Sequence, residues 1–185
     1  MASILTSALK GTTAAAHSAF ATLASASQIT VGAPVPNVDV KINAPDQKLN
    51  FSKVQGKNVI VLVPAAFSPV CSETQVPGYI ERYDQFAAKG VKDIYILSVN
   101  DVFCMNAWGK KLHADKAAQV KFVADDSGAF ASATGLVFDA QALLGGPRAK
   151  RAVIIIDNGK VIHVAVEEDN LQVTVSSAES ALAAL

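Results

Sequence analysis

Asn58-Val59-Ile60-Val61-Leu62-Val63 is a continuous apolar, mostly β-branched run, and it leads directly into Pro64-Ala65-Ala66-Phe67-Ser68-Pro69-Val70-Cys71-Ser72-Glu73-Thr74. A strand without polar alternation is the pattern of a strand covered on both faces, as in an α/β sheet. The loop that follows is bracketed by prolines, and beyond it Ile80, Tyr83, Phe86 and Ala87 mark one face of a helix over residues 74–89. Gly90 sits where a C′ glycine belongs, and Pro77 is expected to bend or delay that helix near its start. Cys71 therefore falls where a buried strand gives way to a helix.

The same alternation recurs on both sides. Residues 94–99 read as a second buried strand, with Asn100-Asp101 offering an N-cap for a helix through Phe103, Ala107, Trp108 and Leu112. Residues 120–124 read as a third strand, and 129–136 as a short helix opened by Gly128. Residues 152–156 and 161–166 flank Asp157-Asn158-Gly159-Lys160, a hairpin signal because Asn-Gly tolerates positive φ. Ser176-Ser177 caps a last helix with Glu179 in its first turn and Ala181, Leu182 and Leu185 inward. Upstream, the proline-stiffened stretch 31–36 precedes an alternating run over 35–42, expected to be an edge strand. Strands alternating with helices predict the α/β class, a central mixed sheet flanked by helices.

Composition narrows the function. Hydrophobic residues make up 51% and charged residues 17%, and the mean hydropathy is +0.31. The 16 basic residues balance the 16 acidic ones with no Lys/Arg cluster, which argues against a nucleic-acid surface. The longest apolar runs are strand-length, short of the roughly 20 residues a membrane helix needs, so a soluble protein without a membrane segment is expected. Two cysteines far apart in sequence make neither a disulfide framework nor a C-x-x-C pair, and no His/Cys/Asp grouping has metal-ligand spacing. His17, His113 and His163 read as surface or packing residues, and Asp125-Asp126 as turn chemistry.

One domain over residues 29–185 is expected, with 1–28 as an N-terminal extension. Ile4, Leu5, Ala8, Leu9 and Thr12 recur at helical spacing in that extension, which is rich in Ala, Ser and Thr. Residues 1–38 hold no acidic residue, as in a mitochondrial transit peptide, but no arginine either. The cytosol is the expected compartment, with the mitochondrial matrix as the alternative.

At the strand-to-helix junction Cys71 would face unpaired N–H groups and the positive end of the helix dipole, both of which favour the reactive thiolate. The carboxyl end of such a sheet is also where ligands bind. Ser68, three residues earlier, could place a hydroxyl beside the sulfur to donate to it and to a bound oxygen, while Pro64 and Pro69 stiffen the loop. Position alone leaves open that Cys71 is a small buried hydrophobe, as most free cysteines are.

The stretch from Pro64 to Cys71 resembles the P-x-x-x-T/S-x-x-C signature of peroxiredoxins. The flanking pieces A-F-S-P-V-C, V-P-G-Y, A-K-G-V, S-V-N-D-V-F and A-W-G are similar to the type II subgroup, the atypical, fungal alkyl hydroperoxide reductase-like one. The match runs from about Val31 to the C-terminus. The resemblance implies a thioredoxin-like fold and a thiol-dependent peroxidase that passes through a cysteine sulfenic acid. It implies no metal and no bound organic cofactor. Cys71 is then the peroxidatic cysteine, with Pro64 and Ser68 in the signature and Ser68 standing where Thr is usual. The run Gly146-Pro147-Arg148-Ala149-Lys150-Arg151 puts the family's active-site arginine on Arg151, with Arg148 a second candidate. On residues alone Arg151 would be a solvated charge at a strand end. Ala65 replaces the subgroup's usual Gly, and Ala152 its usual aromatic; neither change removes a reacting group.

The expected partners are a hydroperoxide, thioredoxin or glutaredoxin/glutathione as reductant, and a second copy of the chain in a homodimer. The plant-type resolving position falls on Ile96, so the only other thiol is Cys104. It is either a core or interface filler or an unusual resolving cysteine; without it an external thiol must reduce the sulfenic acid. Two rivals remain: a disulfide oxidoreductase, weakened by the missing C-x-x-C, and a non-catalytic binding or chaperone-like protein with an inert Cys71.

Overall fold

A computed structural model describes residues 26–112, 114 and 117–185; the expected helical spacing in the N-terminal extension, and His113, lie outside the described residues. In chain order the strands are β1 (Asp39–Ile42), β2 (Ala44–Asn50), β3 (Lys57–Leu62), β4 (Val91–Ser98), β5 (Val120–Ala124), β6 (Val137–Ala140), β7 (Gly146–Ala149), β8 (Ala152–Asp157) and β9 (Lys160–Val166). The helices are α1 (Val76–Glu81), α2 (Tyr83–Ala88), α3 (Val102–Lys111), α4 (Ala129–Ala133), α5 (Gln141–Leu144) and α6 (Ala178–Ala183). A π-helical turn, Val70–Gln75, runs directly into α1.

Seven strands form one mixed sheet in the order β2-β1-β5-β4-β3-β8-β9, with β5, β4 and β3 parallel and the remaining neighbours antiparallel. The pleat explains the apolar runs. Val59, Val61 and Val63 share one core with Ile94, Ile96, Val153 and Ile155, against Tyr79, Phe86, Met105, Trp108 and Leu182 of the helices. Ile60 and Leu62 face the opposite core with Tyr95, Leu97, Ile154 and Ile156, against Phe51, Phe130 and Leu136. Successive residues point to opposite faces and both faces are covered, so polar alternation has nowhere to appear. Each such aliphatic side chain removed from water contributes about 1.5–3 kcal/mol.

Two expectations are corrected, and one element is added. The run over 35–42 is not an edge strand: β1 lies between β2 and β5, and the edge is β2, whose Pro45, Asp46, Gln47 and Lys48 face solvent. The helix after the loop starts earlier than expected and breaks at Arg82 (φ −102°, ψ 14°), so it is two short helices rather than one. The segment 137–149 carries a small separate antiparallel hairpin, β6–β7, with α5 at its turn. The Asn-Gly hairpin forms as expected, with Asn158 at φ 47° and Gly159 at φ 75°. Ser177 caps α6 by accepting from the Ser180 N–H, and Asp101 caps α3 by accepting from the Cys104 N–H.

Candidate active site

Parallel pairing aligns the carboxyl ends of β3 and β4, with Leu62 opposite Leu97. Antiparallel pairing sets Leu62 opposite Ala152, so the residue before β8 emerges at the same sheet edge as the loop after β3. That residue is Arg151. Two segments far apart in sequence thus converge by strand register alone.

The loop after β3 is held by several bonds. The Ala66 N–H donates to Asn100 Oδ1 at 3.0 Å, and Ser98 Oγ donates to the same oxygen at 2.8 Å, which fixes the loop to the end of β4. Phe67 sits at φ 62°, a conformation costly for a bulky side chain, with its exposed ring 6.4 Å from that of Trp108. The Ser68 carbonyl accepts the Ser72 N–H at 2.9 Å and opens the π-helical turn. Such turns recur at functional sites because the wider coil re-aims side chains. Trp108 Nε1 donates to Ser72 Oγ at 3.0 Å and anchors the turn to α3.

Cys71 lies at the start of this turn, wholly buried, its thiol free. Arg151 is 2% exposed, and its Nη1 stands 3.4 Å from Cys71 Sγ. The same nitrogen donates to Gln75 Oε1 at 2.5 Å, and Nε donates to the Asn170 carbonyl at 2.9 Å. Asn170 Oδ1 accepts the Arg151 N–H at 2.7 Å. A buried guanidinium costs several kcal/mol unless its donors are satisfied. Here the carbonyl oxygens of Gln75 and Asn170 fix its plane without neutralising it, and the cation is left facing the sulfur.

The structure brings Cys71 and Arg151 together and buries Pro64 in the same loop. It corrects the role expected of Ser68: that hydroxyl donates to the Ala65 carbonyl at 3.0 Å, so its single proton is not directed at the sulfur. Arg148 is not at the sulfur either. Its Nη1 donates to the Val99 carbonyl at 2.7 Å and its Nη2 to the Leu144 carbonyl at 2.8 Å. Cys104 begins α3, partly buried and with a free thiol; burial and then the Asp101 carboxylate push that thiol up, with Arg148 pulling the other way. Asp125 is a helix cap, accepting from the Phe130 and Ala131 N–H groups at 3.0 and 2.8 Å. Trp108 and Phe130 are wholly buried. Among the described residues no group of three or more His, Cys, Asp or Glu is placed to hold a metal.

Gln75 and Asn170 escaped the sequence reading. Both are polar residues on a turn or loop, and nothing in periodicity separates them from solvated ones.

The family model for redoxins matches residues 30–182. The chain belongs to the redoxin family, as a peroxiredoxin. It is 45% identical over 157 residues to peroxisomal membrane associated protein 20 of Schizosaccharomyces pombe, covering 85% of this chain and 99% of that one. It is 41% identical over 162 residues to peroxiredoxin-2D of Arabidopsis thaliana, covering 85% and 98%. The crystal structure of reduced Prx3 in complex with H2O2 from Vibrio vulnificus superposes with a TM-score of 0.79 at 38% identity, over 85% of this chain and all of that one. The fold is therefore thioredoxin-like, as expected, and this peroxiredoxin is a thiol-dependent peroxidase. Neither the disulfide oxidoreductase nor the non-catalytic alternative finds support in these relatives. No helix among the described residues is long and apolar enough to cross a membrane.

Proposed function

We propose that Cys71 is the attacking nucleophile of this peroxidase, served by Arg151, Ser68 and Pro64, and that the chain is of the type II, fungal alkyl hydroperoxide reductase-like kind. The single observation that carries the reading is the buried guanidinium of Arg151, 3.4 Å from Cys71 Sγ. The thiolate attacks one peroxide oxygen, a sulfur–oxygen bond forms as the O–O bond breaks, and Cys71 becomes a sulfenic acid. The electron pair of the O–O bond leaves on the other oxygen, which takes a proton and departs as water or an alcohol. Charge develops on that leaving oxygen, and a fixed, permanently protonated guanidinium stabilises it without reorganising. Ser68 Oγ, its proton committed to the Ala65 carbonyl, offers its lone pairs to the peroxide O–H. Pro64 contributes stiffness and no competing N–H donor.

The sulfenic acid is reduced by an external thiol, supplied by thioredoxin or by glutaredoxin/glutathione. Cys104 is the competing resolving residue; its raised thiol argues against it, since the attacking species is the thiolate. The chain is proposed to form a homodimer, with exposed Phe67 and Phe103, near the two cysteines in sequence, as candidate contact residues. The cytosol is the proposed compartment, with the mitochondrial matrix as the alternative. Peroxide-dependent NADPH oxidation, run in parallel with thioredoxin and with glutaredoxin/glutathione, tests the function and identifies the reductant. Turnover with either supports the reading, and no turnover with both overturns it. A peroxide-induced, disulfide-linked species on a non-reducing gel that disappears in Cys104→Ser would make Cys104 the resolving residue.

A further inference from the structure

The carboxylate of Glu167, at the start of the loop that follows β9, is 5% exposed and pairs with no cation among the described residues. Four donors meet it: Thr174 N–H and Oγ1, both at 2.6 Å, and Ser176 N–H and Oγ at 2.9 and 2.8 Å. A carboxylate oxygen has no proton to give, so the Ser176 hydroxyl must spend its only proton on Glu167. What the hydroxyl then offers is a lone pair, and Gln75 Nε2 donates to it at 3.1 Å. The Ser176 carbonyl, held in place by the same carboxylate through the Ser176 N–H, receives Gln75 Nε2 at 3.4 Å and Tyr79 OH at 2.8 Å. Every acceptor around the Gln75 amide thus attracts its NH2 end. The Oε1 end is left facing Arg151, where it accepts from Nη1. Reversing the amide would point two donors at each other.

We infer that Glu167 is a positioning residue for the peroxidase reaction, which through Ser176 fixes the direction of the Gln75 amide and so holds the Arg151 guanidinium on Cys71. The inference rests on Cys71 and Arg151 acting as proposed above. The loop has a second tie to the same cation, since the Glu167 N–H donates to the Arg151 carbonyl at 2.9 Å and Asn170 caps its side chain. Hydrogen bonds from Thr174 and Ser176 outweigh the burial that would push the carboxyl up and hold it below its ordinary value, so the acceptor remains ionised at neutral pH.

The test is a double-mutant cycle read on two scales, the second-order rate of Cys71 oxidation by H2O2 and the melting temperature. Glu167→Gln in the full chain is expected to slow oxidation about tenfold to a hundredfold, the loss that misplacing a reacting group can produce. In a Gln75→Met background the same substitution should change the rate by less than about twofold, because the amide it orients is gone, whereas its cost in melting temperature should persist in both backgrounds. An equal proportional loss of rate in both backgrounds overturns the inference, as does an unchanged rate in Glu167→Gln alone. Should Glu167→Gln not fold, Glu167→Asp, which keeps the charge on a shorter arm, carries the same cycle with the same two outcomes. Arg151→Met in parallel separates the failures. If it leaves the rate untouched, the reading of the site falls; if it slows the reaction while Glu167→Gln does not, only the role of Glu167 falls.

Discussion

Cys71 and Cys104 occupy nearly equivalent places: each follows a parallel strand of the same sheet and each lies in the first turn of the next helix. Their surroundings differ in sign. Cys71 is wholly buried with an arginine nitrogen 3.4 Å away. Cys104 is partly exposed; Asp101 caps its N–H at 2.9 Å, and burial and then that carboxylate push its thiol up. Both thiols share a helix start, so on the proposed reading that alone does not make a nucleophile. What sets Cys71 apart is the Arg151 guanidinium, brought to its sulfur from just before β8, whereas at Cys104 the pull of Arg148 on β7 is outweighed by burial and Asp101.

The sharpest way to break the contrast is to remove the proposed nucleophile. Cys71→Ser should reduce peroxide turnover to background while Cys104→Ser retains it, because a serine hydroxyl of nearly the same shape is not ionised at neutral pH. Steady-state assays of both variants check this. The next effect is that of the cation. Arg151→Met should slow Cys71 oxidation by about a hundredfold to a thousandfold, a typical cost of losing one donor to a developing oxyanion. The deficit should persist as pH is raised; stopped-flow rates against pH that converge at the alkaline end would confine Arg151 to acting on the sulfur and not on the leaving oxygen.

The resemblance between the two junctions also explains what could be read from the sequence. The apolar run of β3 and the proline-bracketed loop are legible because burial on both faces leaves a continuous signal and the loop's residues cluster. Arg151 came only through the family resemblance, since an arginine before a strand is ordinarily solvated. Gln75, Asn170 and Glu167 were invisible for a physical reason: their partners are carbonyls, hydroxyls and N–H groups brought together by register, and such pairings leave no spacing in the chain. Strand β2 was missed because its exposed polar residues around Pro45 lack alternation, and the π-helical turn because no sequence period marks it.

Smaller effects probe the charge contrast directly. Asp101→Asn keeps the cap of α3 and removes the negative charge. Cys104 should then ionise more readily and react with iodoacetamide about two- to fivefold faster near pH 8, a change of up to about 1 kcal/mol in the ionised fraction. Unchanged alkylation would show that burial alone raises that thiol.

Glu167→Gln should lower the melting temperature at neutral pH by about 5 °C or more, since hydrogen bonds to a buried charge contribute about 1.5–3 kcal/mol. The carboxyl is held below its ordinary value of 4.5, so the stability it brings is complete above that value and disappears as pH falls through the lower folded-state value. The gap in melting temperature between the two proteins should therefore narrow in strong acid; a gap independent of pH would contradict the ionised acceptor.

The most direct measurement is site-resolved trapping of the sulfenic acid. The reduced full chain receives one equivalent of H2O2 in the presence of dimedone, and the adduct is located by peptide mass spectrometry. The account predicts near-stoichiometric adduct on Cys71 and none on Cys104 in the native chain, with the Cys71 adduct lost from Arg151→Met on the same timescale. Adduct on Cys104, or undiminished adduct on Cys71 in Arg151→Met, would contradict it.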